Sequence, residues 1–307
     1  MTQSASNAPT ILLEQANPYE TRVAQLESDG RTLYLYLSPV DDLPGETNAV
    51  WVRNLIEAPA DSDRESMQAG QAPLQKKAAC KHPAGLPLPA KNELDLVWFA
   101  EGTGVALYYQ GALEAVVPPW SGLDRIQGYA REALELDVAT LPLPQAGSPF
   151  LDRLQSNLDF WTQRSQADFW PRFRDQLLAW YEERLGRQHR QYFALERKYP
   201  PMAVVEFDLP DEWRSPNADF DRLYLTLGMS YQPMPGLERS KENAASKAWT
   251  EIITKGHSDL RQLPGYIGRM ALYPWLSGSF FFYVHVYESG QDGPKSDYIF
   301  SEQLKKV

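Results

Sequence analysis

The sequence contains one cysteine and four histidines among its 307 residues. Cys80 therefore cannot form an intramolecular disulfide, and the cysteine content gives no sign of an oxidising compartment. The histidines show no His-x-x-x-His or Glu-x-x-His spacing, and the pair Cys80 and His82 supplies too few ligands for a closed zinc site. We predict no metal site and no cofactor, and we interpret Cys80 as an ordinary loop thiol.

Long apolar runs are also missing. The longest one, residues 280–284, is far shorter than the roughly 20 apolar residues that a helix needs to cross a bilayer. Residues 1–9 lack the basic start and apolar stretch of a secretory signal. We therefore expect a soluble, cytoplasmic protein that does not bind membranes.

Positive charge is in deficit, with 30 Lys and Arg against 40 Asp and Glu and a net charge of −10. A protein that tracks a nucleic-acid backbone needs a basic face, so nucleic acid is not the expected partner. The deficit is local. Residues 1–60 hold eight acids and three arginines, and residues 201–238 hold seven acids and two arginines, so that each segment contributes −5.

Alternating apolar residues and turn signals predict several strands. An Asp29-Gly30 pair between two such runs predicts a β-hairpin over residues 20–38. Three runs separated by glycine turns predict an antiparallel meander over residues 94–117. Prolines and glycines exclude long regular elements from residues 57–92. Further strands are predicted at 50–56, 203–207, 223–227, 248–253, 280–286 and 298–300.

Helical spacing of apolar residues is strongest between residues 149 and 197 and is interrupted near 165–168, which predicts two helices. Shorter helices are predicted at 129–136 and at 258–270, the latter with a kink or restart at Pro264. Strands on both sides of a helical block indicate an α+β fold of two mixed or antiparallel sheet units with packed helices. We divide the chain into an N-terminal β-rich part, 1–145, and a helical block plus C-terminal α+β part, 146–307.

No set of residues in the sequence indicates catalysis. Gly102-Thr-Gly104 lacks the spacing of a phosphate-binding loop, and Ser121 lacks the Gly-x-Ser-x-Gly frame of a nucleophile elbow. A hydrolase that uses surface carboxylates or Cys80 remains an alternative. Among the nine tryptophans, Trp120 and Trp275 lie close to proline and glycine, and we expect them to be partly exposed.

One segment is similar to a known family. Residues 224–234, YLTLGMSYQPM, resemble the strand-and-turn segment T-x-G-M-S-x-x-P-M of the Suppressor of fused (SUFU) superfamily. A short run with Glu251, a helical stretch and Tyr273-Pro274 follow in the family's order, whereas residues 235–248 do not match. Segments at 50–56, 67–83, 96–99 and 118–131 are similar to bacterial members, so the resemblance spans most of residues 48–300.

The resemblance implies a SUFU-like binding protein without enzymatic activity. Animal members sequester a transcription factor by clasping a short peptide, partly as an added strand. Bacterial members are inferred to be immunity proteins that neutralise a toxin domain encoded beside them. Many such toxins act on nucleic acids and carry basic surfaces, to which an acidic protein is complementary.

The predicted partner is therefore a protein, a cognate toxin domain encoded nearby. A regulator that holds a peptide by strand addition is an alternative, besides the hydrolase. The residues predicted to contact the partner come from the two acidic segments and from one tryptophan: Asp41, Asp42, Glu46, Asp208, Asp211, Glu212, Asp219, Asp221 and Trp120.

Overall fold

The computed structural model of the chain describes residues 9–145, 147–195, 199–214, 219–237 and 248–281, and the backbone of 298–300. It confirms the α+β class, since helices accompany three sheets. The chain divides into two compact units, Met1–Phe160 and Trp161–Val307. This division falls within a helix, whereas the boundary drawn from the sequence lies just before that helix.

The first sheet is a four-stranded antiparallel meander. Its strands lie in chain order: β1 (Thr10–Ala16), β2 (Arg22–Ser28), β3 (Thr32–Pro39) and β4 (Asn48–Asn54). The predicted hairpin is confirmed as β2 and β3. Its turn places Gly30 at φ +82°, and the Asp29 carboxylate accepts hydrogen bonds from the amides of Arg31 and Thr32.

The residues between the two sheets of the first unit form no long element, as predicted. They contain α1 (Arg64–Gln68), of five residues, and short 3-10 turns at Lys77–Ala79 and Lys91–Glu93. Buried side chains of the first sheet hold this loop in place. The Asn54 side chain donates to the carbonyl of Gln75 and accepts from its amide, and the Trp51 indole donates to Asn54 Oδ1.

The second sheet contains five strands in chain order: β5 (Leu94–Trp98), β6 (Val105–Tyr109), β7 (Ala112–Val117), β8 (Gly128–Ala130) and β9 (Thr140–Pro142). The first three confirm the predicted meander. The helix predicted at 129–136 is wrong, because Tyr129 pairs with Val116 in β8 and the following residues form turns. Sheet pairing has overridden the local apolar spacing. β8 and β9 pair in parallel, and the other neighbours are antiparallel.

Two long helices follow, α2 (Pro149–Arg164) and α3 (Phe169–Leu185), which confirms the two predicted helices. Leu154 of α2 packs with Phe99 in the core of the first unit. α3 ends at Gly186, which has φ +63°. Beyond this point Gln191–Ala194, for which the sequence predicted no strand, form strand β10.

The sheet of the second unit places β10 beside β11 (Ala203–Asp208), β12 (Arg222–Leu227), β13 (Ile252–Gly256) and β14 (Tyr298–Phe300), all antiparallel. Leu177 and Tyr181 of α3 pack on one face of this sheet with Val205 and Leu225. The other face carries Tyr224, because successive side chains of a strand alternate between faces.

The last helix, α4 (Leu263–Ser277), packs against β11, β12 and β13. It lies on the Tyr224 face, since a Cβ added to Gly256 would meet both Leu263 and the Tyr224 ring. The helix predicted at 258–270 begins only at Leu263, so Pro264 lies in its first turn, where no amide hydrogen bond is needed; of the predicted kink or restart, the restart is found. The strand predicted at 248–253 is found at 252–256, and 298–300 are extended as predicted. Residues 282–286 of the strand predicted at 280–286 lie outside the described residues.

None of the helices in the described ranges is both long enough and apolar enough to cross a membrane.

Candidate protein-binding surface

The loop between β3 and β4 carries three of the predicted contact residues. Asp41, Asp42 and Glu46 are all exposed. Within the described part of the chain, no lysine or arginine forms an ion pair with any of the three. Arg22 lies close by, but it donates to the carbonyl of Pro44, at 3.2 Å. We call residues 40–47 the acidic loop.

Two of the three arginines of the first acidic segment form ion pairs with acids from elsewhere in the sequence. Arg31 pairs with Asp63, and Arg53 pairs with Glu114. Both of these acids lie beyond residue 60. The carboxylates within residues 1–60 are therefore less compensated in space than the sequence count of −5 indicates.

The second acidic segment shows the opposite arrangement. Nε of Arg222 lies 2.9 Å from Glu206, and its Nη1 lies 3.1 Å from Asp208 and 3.0 Å from Asp221. Nη1 of Arg190 lies 3.1 Å from Asp208. These contacts arise because the antiparallel register places Asp208 opposite Arg222 and because β10, which the sequence did not predict, brings in Arg190. Three carboxylates and two guanidinium groups leave a local charge of −1.

Hydrogen bonding further stabilises the ionised form of Asp221. Burial acts to raise the pKa of this carboxyl, but the hydrogen bonds from Ser258 and the positive charge of Arg222 together lower it below its usual value. The Ser258 amide lies 2.7 Å from Asp221 Oδ1. Asp221 therefore fixes the start of the segment that follows β13. It stabilises the fold and is not only a surface charge.

Three further acids of this segment, Asp211, Glu212 and Asp219, are solvent-facing. Asp211, whose side chain is 95% exposed, forms an ion pair with Arg214 at 3.0 Å. Glu212 and Asp219 are exposed. An exposed pair such as Asp211 and Arg214 contributes at most about 1 kcal/mol to stability. These acids could therefore contact a partner with little loss of stability of the fold.

Trp120 follows β7 and is half-buried, in agreement with the sequence. Its ring meets Phe150 edge-on with the centroids 5.5 Å apart, and the Arg153 guanidinium lies 5.7 Å from the Trp120 ring centroid. A Cβ added to the neighbouring Gly122 would lie 3.6 Å from Asn48 Oδ1. Because Asn48 is the first residue of β4, the loop that holds Trp120 adjoins the end of the acidic loop.

Trp275 does not match the prediction of partial exposure. It is 2% exposed and lies on the inner side of α4. Its indole donates to the carbonyl of Pro233 at 3.1 Å. Proximity to Pro274 misled the sequence interpretation, because this proline lies inside the helix instead of in a loop.

The T-x-G-M-S segment forms the end of β12 and a tight turn around the carboxylate of Glu251. Glu251 is completely buried and accepts hydrogen bonds from the hydroxyls of Thr226 and Ser230, both at 2.6 Å. Burial raises the pKa of this carboxyl, and the hydrogen bonds from Ser230, Thr226 and the turn amides oppose the shift. The motif residues therefore face inward. Sequence reasoning noted Glu251 only as a strand residue and missed this contact.

The thiol of Cys80 is not arranged as a nucleophile. It is buried, and its Sγ donates to the carbonyl of Lys76 at 3.4 Å. Burial raises the pKa of Cys80, with a smaller contribution from the negative charges of Glu132 and Asp137. A reactive cysteine needs the opposite shift.

His82 is held by a carboxylate, with its Nδ1 2.5 Å from Glu132 Oε2. Across the described ranges, no group of three or more His, Cys, Asp or Glu side chains is arranged to hold a metal ion.

Comparison of the chain with models of protein families, with curated proteins and with solved structures gives no match. The resemblance to the SUFU superfamily therefore stays a prediction from the residues that carry it.

Proposed function

We propose that this protein is a non-enzymatic protein-binding module that docks onto a basic protein surface. The observation that carries this proposal is the acidic loop, with three exposed carboxylates that pair with no described cation. Charges within about 8 Å of each other interact appreciably at physiological ionic strength. Counting Arg22, whose guanidinium contacts Pro44, the acidic loop keeps a local charge of −2, whereas the carboxylates around Arg222 and Arg190 keep only −1. The loop therefore attracts a cationic partner more strongly than the second acidic segment does.

The partner in this proposal is a toxin domain encoded nearby, and the chain is a cytoplasmic immunity protein that neutralises it. Two observations support this choice. Residues 224–234 resemble the family segment, and the net charge of −10 is complementary to the basic surface of a toxin that acts on nucleic acids. Electrostatic complementarity mainly accelerates encounter and disfavours wrong partners. The raised pKa of the Cys80 thiol argues against the hydrolase alternative in its cysteine form.

The test is coexpression with the product of the adjacent gene. We expect a complex and protection from the toxicity of that product. Failure to obtain either would contradict the proposal. A triple variant, Asp41→Lys, Asp42→Lys and Glu46→Lys, then tests the acidic loop. We expect its association rate constant at low salt to fall about tenfold or more, with a smaller change in the dissociation rate.

A matched control separates the loop from the net charge. Glu65, Asp95 and Glu183 are exposed acids outside the predicted contact residues. Their simultaneous change to lysine alters the net charge by the same amount. If this control slows association as much as the loop variant does, the acidic loop is not the docking site.

A second candidate function is capture of an extended peptide by strand addition. β1 is an edge strand whose residues are mostly exposed, including Ile11 at 48% exposure. Such an edge offers unpaired backbone groups to another strand. Salt distinguishes the two candidates, since strand addition should lose little affinity between low and moderate salt, whereas charge-driven docking should lose much of it.

A further inference from the structure

Glu251 is a buried carboxylate whose five hydrogen bonds all come from uncharged donors on one short turn. Oε1 accepts from the amides of Gly228 and Ser230, both at 2.9 Å, and from the Ser230 hydroxyl at 2.6 Å. Oε2 accepts from the Thr226 hydroxyl at 2.6 Å and from the amide of Met229 at 3.3 Å. A buried carboxylate normally needs a cationic partner or a full set of donors, and here the donors are complete.

The turn is shaped to hold an anion. Gly228 has φ +118°, and the next three residues form a single 3-10 turn, so that three successive amides converge on one point. Successive amides in such a turn form an anion-binding concavity. A side chain at position 228 is excluded, because its Cβ would lie 2.2 Å from the carbonyl oxygen of Pro201. The glycine is therefore required for the concavity.

We propose that residues 226–230 form a carboxylate-binding nest, and that Glu251 is the internal ligand of this nest and fixes the start of β13 beside the end of β12. The Thr226 hydroxyl supports this role from both sides. It donates to Glu251, and at 2.7 Å it accepts from the amide of Ile252, the first residue of β13. The nest and its ligand lie more than 20 residues apart in the sequence, so the contact joins two otherwise separate segments.

The proposal assigns a role to the T, G and S positions of the motif. Thr226 and Ser230 supply hydroxyl donors, and Gly228 permits the backbone shape. These residues are then structural and are not contacts for a partner. This inference does not depend on the proposed function, and binding to a basic partner plays no part in its test.

Glu251→Ala removes the ligand and leaves a cavity lined by five donors, which a free formate ion can enter. The variant should melt roughly 5–10 °C below the wild type, because charge-assisted hydrogen bonds are lost and donors are left unpaired. Sodium formate should raise its melting temperature by several degrees beyond the effect of sodium chloride at equal ionic strength. The wild type should not respond in this way.

Glu251→Gln is the matched control. It fills the same volume but places an amide group against backbone donors, so it should melt well below the wild type and show no formate rescue. A wild-type melting temperature in Glu251→Gln, or equal formate shifts in all three proteins, would overturn the proposal.

If Glu251→Ala does not fold, Ser230→Ala provides the second test. It removes one hydroxyl donor and should lower the melting temperature by roughly 2–5 °C. In the Glu251→Gln background the same change should cost much less. Equal costs in the two backgrounds would show that Ser230 does not act through the carboxylate.

Discussion

The ion pair between Arg53 of β4 and Glu114 of β7 joins the two sheets of the first unit, and removing one partner should be strongly destabilising. The two side chains are only 5% and 2% exposed. Breaking a buried pair from one side costs about 3–5 kcal/mol, because a charge stays buried and uncompensated. Arg53 would keep the Tyr109 ring at 5.0 Å, which offsets about 1 kcal/mol. We therefore expect Glu114→Leu to cost about 2–4 kcal/mol.

The double variant, Arg53→Met with Glu114→Leu, should be within about 1 kcal/mol of the wild type, since apolar pairs of similar volume often replace buried ion pairs without loss. Arg131, whose Nη1 lies 3.5 Å from Glu114, is 35% exposed and keeps its hydrogen bond to the Leu113 carbonyl. Urea denaturation gives the free energies of unfolding for the double-mutant cycle. Hydrogen exchange of the β4 and β7 amides reports on the first unit, with β11 and β12 as an internal control. A cost below about 1 kcal/mol for Glu114→Leu, or additive costs in the double variant, would refute this reasoning.

Three further predictions concern single residues. The hydrogen bond from His189 lowers the pKa of Glu182, so this contribution to stability is present above the unfolded-state pKa and is lost as pH falls through the folded-state value. His189→Ala should therefore weaken the pH dependence of the free energy of unfolding, measured by urea denaturation across the acidic range in which Glu182 titrates, by no more than about 1 kcal/mol, and an unchanged profile would contradict the pairing. Because burial raises the pKa of Cys80, iodoacetamide should modify it at least about tenfold more slowly in the native than in the denatured protein, and equal rates would show an accessible thiol. Gly228→Ala should lower the melting temperature by roughly 5 °C or more, since the added Cβ meets the carbonyl of Pro201; a wild-type value would contradict the tight approach.

Elements with a strong local signal could be predicted from the sequence. The Asp29-Gly30 pair specifies a turn that few other residues permit, and the hairpin on either side of it was correct. The apolar spacing in α2 and α3 was also sufficient. The helix predicted at 129–136 and the strand missed at 191–194 show where the local signal fails. Residues 129–136 carry apolar side chains at spacings that suit a helix, and residues 191–194 are only a short run, but strands elsewhere in the chain pair with both segments.

From the sequence, only the net charge of each segment could be predicted, and not which charges pair with each other. The pairing of Asp208 with Arg222 depends on a strand register that no local signal reveals. The same holds for Glu251, whose donors lie on another segment. A turn rich in amide and hydroxyl donors followed by a lone glutamate in an apolar run is the signal that could have indicated the contact. Such a glutamate, next to Ile252 and Ile253, needs a buried partner.

The acidic loop and the second acidic segment differ in how far nearby arginines neutralise them. This difference allows an experiment to separate the effect of local charge on a partner from the effect of net charge. The net charge of −10 becomes −4 both in the acidic-loop variant and in its control, since three acids change to lysines in each. If the field of the whole protein guided a basic partner, the two variants would associate equally slowly. Screening over about 8 Å makes the local arrangement dominate near contact. Only the acidic loop, whose carboxylates pair with no described cation, should then matter, and the difference between the two variants should shrink as salt is added.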